Sequence, residues 1–253
     1  MISKKRARFV VKHQVVLNTL VLRLDGVHRV LSSAPGGGGL VRARSILNHQ
    51  VAANPVAIGT RRDQASKAIP HWRDPARFLS MLADRLGADR PVVGLMTAVP
   101  MTQLVRRREA KDGVWVECFC TVGVANAVMA GEPVRRDLGV RGRSRYGTIN
   151  IILVTNATLT ASAMVGAVQV ATESKTAVLL GRSIPSASGR GSATGTGTDA
   201  VVVAAGSRGC HRIQYSGTHT QIGSMIARLV TRCVEAGLKQ CLRWRRTSLP
   251  DPT

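Results

Sequence analysis

Apolar runs of four to nine residues dominate the chain, and they divide into two kinds. "PVVGLMTAV", "VWVECFCTV", "TINIILV" and "AVVVAAG" are almost continuously apolar. Such runs predict strands covered on both faces. "RFVVKHQVVL" and "TLVLRL" near the start are Val- and Leu-rich and also predict strands. Between them and the rest, "SSAPGGGG" predicts a loop, since four consecutive glycines favour neither helix nor strand. "VRARSILNHQVAAN" fits a short helix or a strand. "DPARFLSMLADRLG" predicts a helix: Asp74 at the N-cap, Pro75 in the first turn, apolar residues at 78, 79, 82 and 86, and Gly87 to close.

Two longer segments complete the pattern. "TASAMVGAVQVATESKTAVLL" predicts a helix of small apolar residues with almost no polar face, and "QIGSMIARLVTRCVEAGLKQC" an amphipathic one. "GVANAVMAG" is read as a short helix of small residues, and "GRSIPSASGRGSATGTGTD" as a long loop. Strands ending in "TVGVANA" and "TNAT" suggest two similar strand–turn units, with Asn126 and Asn156 facing each other across a site. Together these elements predict one α/β domain over 1–245. It has a mixed central sheet, a buried small-residue helix and flanking helices, and residues 246–253 form a disordered basic tail.

Composition changes this picture in one respect. Aromatics are 3% of the 253 residues, so the core must be aliphatic. The net charge of +22 suggests nucleic acid or an anionic membrane as partner. No RNP-type aromatic run or zinc-finger spacing accompanies it, and the arginines are spread along the chain. The charge is therefore read as an arginine-rich surface. Five cysteines without a CxxC pair read as buried free thiols in a reducing compartment. No uncharged apolar stretch reaches the length of a membrane span. A cytoplasmic protein is expected, with oligomerisation left open.

Three places concentrate candidate chemistry. Glu173 is the lone carboxylate in the apolar stretch 147–183, and Lys175 lies about 200° away around the helix, so the two do not pair along it. The narrow side holding Ser162, Gly166, Gln169, Glu173 and Thr176 suits a groove. A carboxylate desolvated there suits general acid–base work, whereas pairing with a distant arginine is the structural reading. "SATGTGTDA" places Thr194, Gly195, Thr196, Gly197, Thr198 and Asp199 in a loop whose amides suit an oxyanion or phosphate. It lacks the Gly-Lys-Ser/Thr of a P-loop. His219, in "YSGTHTQIG", stands at the mouth of the last helix. No second His lies at metal-ligand spacing, so no protein metal site is expected.

In order, "LSSAPGGGG", "ILNHQV", "GLMTAVPM", "TVGVANAVMAG", "GTINIILVTNATLT", "ATESKTAVL", "ATGTGTDAVVVA" and "YSGTHTQIG" resemble the adenosylcobinamide amidohydrolases of cobamide salvage, over about residues 28 to 230. The departures are Ser174, where that family has alanine, the Val-Pro after Met96-Thr97-Ala98, and the basic tail and "GRSIPSASGRGS" insert, which have no counterpart there. The resemblance implies hydrolysis of the amide joining an aminopropanol arm to the corrin ring, giving adenosylcobyric acid and aminopropanol. The cobalt belongs to the substrate, and no cofactor is expected. Roles consistent with that reaction are Glu173 as base acting on water, His219 as acid, and the amides of Gly195 and Gly197 as oxyanion donors. In the competing scheme Thr196 or Thr198 is the nucleophile, activated by Asp199 or His219. Asn126 and Asn156, with Thr194, would hold the corrin's amide rim. The alternatives are a non-catalytic corrinoid- or nucleotide-binding protein and a basic nucleic-acid-binding protein.

Overall fold

The computed structural model describes residues 11–51, 73–133, 147–207 and 211–248. Its framework is one mixed sheet in the order β4-β3-β2-β11-β8-β6-β5, with β1 also paired to β2. The strands are β1 (Lys12–Val16), β2 (Thr19–Ser32), β3 (Gly39–Gln50), β4 (Val92–Thr97), β5 (Val105–Lys111), β6 (Val114–Val122), β8 (Ile149–Thr155) and β11 (Ala200–Ala205). Short pairs join β7 (Ala127–Val128) to β10 (Gly195–Thr196) and β9 (Thr158–Leu159) to β12 (Arg212–Ile213). The helices are α1 (Pro75–Arg85), α2 (Ala161–Gly181) and α3 (Gln221–Ser248).

A bend in β2 shapes the molecule. The register to β3 shifts between Arg23 and His28. Beyond the bend, residues 29–32 pair with β11; before it, β1 occupies the same side of the strand. The first half, with β1, the end of β3 and β4, folds over one face of β8 and β6. Leu20, Leu22, Ile46 and Leu95 share a core there with Trp115, Phe119, Ile152 and Val202. The His13 ring lies 5.4 Å from that of Phe119. On the other face, α2 and α3 cover the alternate residues Val116, Cys118, Ile151, Leu153 and Val203. Helix α1 packs outside the folded-over half, on Val21, Leu47 and Met96. The layers therefore run helix, strand, strand, helix.

Local chemistry explains most of the boundaries. The Asp74 side chain accepts from Arg77 N at 2.9 Å and starts α1, and Gly87 ends it at φ +57. The Thr160 hydroxyl accepts from Ala163 N and starts α2. The glycine run turns β2 into β3, and Gly37 sits at φ +68 where a Cβ would lie 2.7 Å from Val92 O. Two parallel crossovers, β3-α1-β4 and β8-α2-β11, account for the parallel pairings of the main sheet.

Three expectations change. Residues 123–131 form a turn and β7, not a helix, because Ala127 and Val128 find a strand partner in β10. Asn126 and Asn156 do not face each other: β6 and β8 are antiparallel, so the turns after them fall at opposite edges of the sheet. Helix α3 continues to Ser248, into the expected tail, and residues 249–253 lie outside the described residues. Among the described residues no helix is long and apolar enough to cross a membrane. Cys118, Cys120, Cys233 and Cys241 are free and buried; Cys210 lies outside the described residues. A hydrogen bond with Cys233 and burial push the Cys118 thiol well up.

Candidate functional site

The charge that α2 buries is Lys175, not Glu173. Lys175 is 8% exposed, whereas Glu173 stands on the exposed surface of the helix. The desolvated carboxylate expected from the wheel is therefore absent. Lys175 finds its partner 24 residues downstream: its Nζ lies 2.5 Å from Asp199 Oδ2. Asp199 is the hub of the Thr-Gly loop. Its Oδ2 also accepts from Thr196 N at 3.0 Å. Its Oδ1 accepts from Thr196 Oγ1 at 2.5 Å and from Ile149 N at 2.9 Å. Four donors fix this carboxylate, and its side chain is only 13% exposed. A Cβ on Gly195 would meet both Asp199 Oδ2 and Lys175 Nζ within 3 Å, so the ion pair requires glycine there.

The rest of the loop is pinned by its neighbours. Thr194 Oγ1 accepts from Ala130 N, and Thr194 O accepts from Thr176 Oγ1 of α2. Thr148 Oγ1 donates to Thr198 O at 2.8 Å, and Thr198 Oγ1 to Gly147 O at 3.3 Å. Thr196 is partly exposed, and Gly197 and Thr198 are exposed, so the cluster opens to solvent on this side. Asn126 stands at its edge, beside Ala127, whose register partner is Thr196. Its Oδ1 is buried and has no donor among the described residues. Below lies a buried polar layer: Asn150 Nδ2 donates to Asn48 Oδ1 and Met96 O, and Asn48 Nδ2 donates to Thr121 Oγ1. The sequence reading missed this layer, whose members come from four distant strands. It also tested Lys175 only against its helical neighbours.

The structure thus gathers Thr194, Gly195, Thr196, Gly197, Thr198, Asp199 and Asn126 at one edge of the sheet. It does not bring Asn156 or His219 there. Asn156 follows β8, whose seven residues span about 20 Å at ~3.3 Å per residue. Both its polar atoms are engaged, Oδ1 by Trp115 N and Nδ2 by Gly113 O, and hold the β5–β6 turn. His219 is exposed beside Gly217, next to Ser216, which donates to Ala163 O in the first turn of α2. Lys175 lies twelve residues further along that helix, about 18 Å at ~1.5 Å per residue. Among the described residues no group of three His, Cys, Asp or Glu side chains is placed to hold a metal.

A four-layer α/β protein with a shielded ion pair gripping a loop hydroxyl has the equipment of a hydrolase, and comparison with known proteins shows the chain to be an amidohydrolase. It belongs to the adenosylcobinamide amidohydrolase family, whose family model matches residues 4–246. An adenosylcobinamide amidohydrolase of Methanosarcina mazei is 32% identical over 173 residues, 65% of this chain and 75% of that one. One of Halobacterium salinarum is 32% identical over 202 residues, 76% and 79% of the two chains. An uncharacterized protein of Methanocaldococcus jannaschii is 30% identical over 238 residues, covering 88% and 86%.

Proposed function

We propose that the protein hydrolyses the amide between the corrin ring and the aminopropanol arm of adenosylcobinamide, yielding adenosylcobyric acid and 1-amino-2-propanol for corrinoid salvage. Family membership supports the substrate. The observation that carries the mechanism is the chain Thr196 Oγ1–Asp199–Lys175. In this reading Asp199 takes the base role that the sequence suggested for Glu173. Thr196 Oγ attacks the amide carbon while its proton passes to Asp199. The tetrahedral intermediate expels the amine, which receives that proton, and leaves an ester on Thr196. Water, deprotonated by the same carboxylate, cleaves the ester; the acid is freed and the proton passes from Asp199 to the departing Thr196 Oγ. Lys175 keeps the charge of the cluster balanced as the proton moves. Asn126, half-buried at the edge of the loop beside Ala127, is the candidate to hydrogen-bond the substrate's amide. The loop amides of Gly195 and Gly197 remain the candidates for the oxyanion. The cobalt enters with the substrate, and this scheme uses no cofactor.

Incubation with adenosylcobinamide and chromatography for the free acid and aminopropanol tests the activity. Thr196→Val removes the hydroxyl and keeps the shape. Aminopropanol release should fall by at least about 10⁴-fold, and intact-mass analysis of a stalled wild-type reaction should show the corrinoid acyl on Thr196. Full activity of Thr196→Val with loss in Asp199→Asn would assign the attack to water instead.

A further inference from the structure

At the opposite edge of the sheet lies a cleft of about 680 Å³, formed where β2 and β3 meet the ends of β9 and β11. Its size suits a small organic ligand. Arg29 and Arg42 both line it, and they are directly opposed cross-strand partners of β2 and β3. Opposed residues in an antiparallel pair have Cα atoms only about 5 Å apart, and like charges so placed destabilise the pair. Both arginines are exposed, and neither has an acidic partner among the described residues. Asp25, the nearest acid in sequence, is 3.4 Å from the buried His28. Among the described residues Arg23, Arg90, Arg106, Arg182 and Arg228 find carboxylates, while Arg44, Arg77, Arg85 and Arg190 do not, so what distinguishes Arg29 and Arg42 is their direct opposition across β2 and β3 at a cleft. Leu40, on the same face of β3 as Arg42, is 49% exposed beside the pair, whereas Val41 turns to the opposite face and Leu159 is only 1% exposed. Ser207 adds a hydroxyl just past β11, the edge at which parallel α/β sheets bind ligands.

We propose that this cleft binds a small phosphomonoester, its phosphate on Arg29 and Arg42 and an apolar or aromatic body against the exposed Leu40. Two guanidiniums held side by side need two negative charges to neutralise them, which a phosphomonoester dianion supplies and a single carboxylate does not. Guanidinium also matches phosphate oxygens two at a time. The site is separate from the Thr196–Asp199–Lys175 cluster, because β11 lies lengthwise between them, about 20 Å by strand rise.

Phenyl phosphate is the probe, because it resembles no part of the corrinoid. Titration calorimetry on the full chain at pH 7.5 and moderate salt should show one saturable site for phenyl phosphate and much weaker binding of benzoate. Arg29→Ala and Arg42→Ala should each weaken phenyl phosphate by at least about tenfold. Both should melt no lower than the parent, since a like-charge contact has been relieved. Thr196→Val should bind phenyl phosphate unchanged, which keeps this test distinct from that of the catalytic reading. Absence of saturable binding overturns the proposal. So does equal weakening by Arg77→Ala on the distant surface of α1, which would assign the attraction to the overall charge. Should Arg29→Ala fold poorly, Arg29→Gln gives the same reading with less loss of packing.

Discussion

Lys175 and Asp199 are each the other's reason for being buried, but the two are not equivalent. Asp199 accepts from Thr196 N, Thr196 Oγ1 and Ile149 N besides Lys175, so it keeps three donors if the lysine is lost. Among the described residues the Lys175 ammonium has one partner, Asp199, in surroundings that leave its side chain 10% exposed. Removing one member of a shielded pair is costly chiefly because of the charge left behind. Asp199→Asn should therefore destabilise more, by about 3 kcal/mol, than Lys175→Met, at about 1–2 kcal/mol. The double variant should cost less than the sum. Urea denaturation of the four proteins measures this, and a larger loss in Lys175→Met would overturn the ranking. At this scale the sequence was half legible. The Thr-Gly loop announced itself through composition, and Asn126 through its turn. The significance of Lys175 lay in a residue 24 positions away, which helical periodicity cannot reveal.

Elements were more legible where they carried caps and continuous apolar runs. Helix α1 begins and ends where Asp74, Pro75 and Gly87 place it. Strands β4, β6, β8 and β11 fall on the four apolar runs. Strand β5, "VRRREAK", escaped the reading because four consecutive charged residues follow its single valine. One face packs Arg106 and Arg108 over the rings of Phe119 and Trp115, and the other sends Glu109 to Arg228. Helix packing can be tested with one substitution at two glycines. A Cβ on Gly237 of α3 would lie 2.5 Å from Val122 Cγ2 and 2.8 Å from Val122 Cβ. One on Gly181, at the end of α2, would meet nothing within 4 Å. Gly237→Ala should lower stability by about 1–3 kcal/mol through overpacking, whereas Gly181→Ala should raise it by about 0.5–1 kcal/mol through backbone entropy. Thermal melts separate the two signs, and a stabilised Gly237→Ala would mean that α3 sits further from β6 than described.

For the whole molecule, the class was legible and the strand order was not. Covered strands alternating with helices imply an α/β sheet whatever the order. That order depends on the bend in β2, which lets one strand serve both layers. In the sequence the bend is only "LDGVH", a polar interruption between two apolar halves. The division of the candidate residues between opposite edges follows from the antiparallel pairing of β6 with β8, which composition does not encode.

Strand β11 lies between β2 and β8, parallel to one and antiparallel to the other. During synthesis β2 emerges about 170 residues before the neighbour that completes its second half, judged from the pairing of Ser32 with Val202. Until then both β2 and β8 carry an unsatisfied edge, the situation that invites self-association. The nascent chain thus has a long vulnerable interval, and closure through such distant pairing is slow. Refolding from urea, followed by tryptophan fluorescence (Trp115 is buried between the layers), should proceed on a scale of milliseconds to seconds, with yield falling as protein concentration rises. A yield independent of concentration would show that the open edges are protected before β11 arrives.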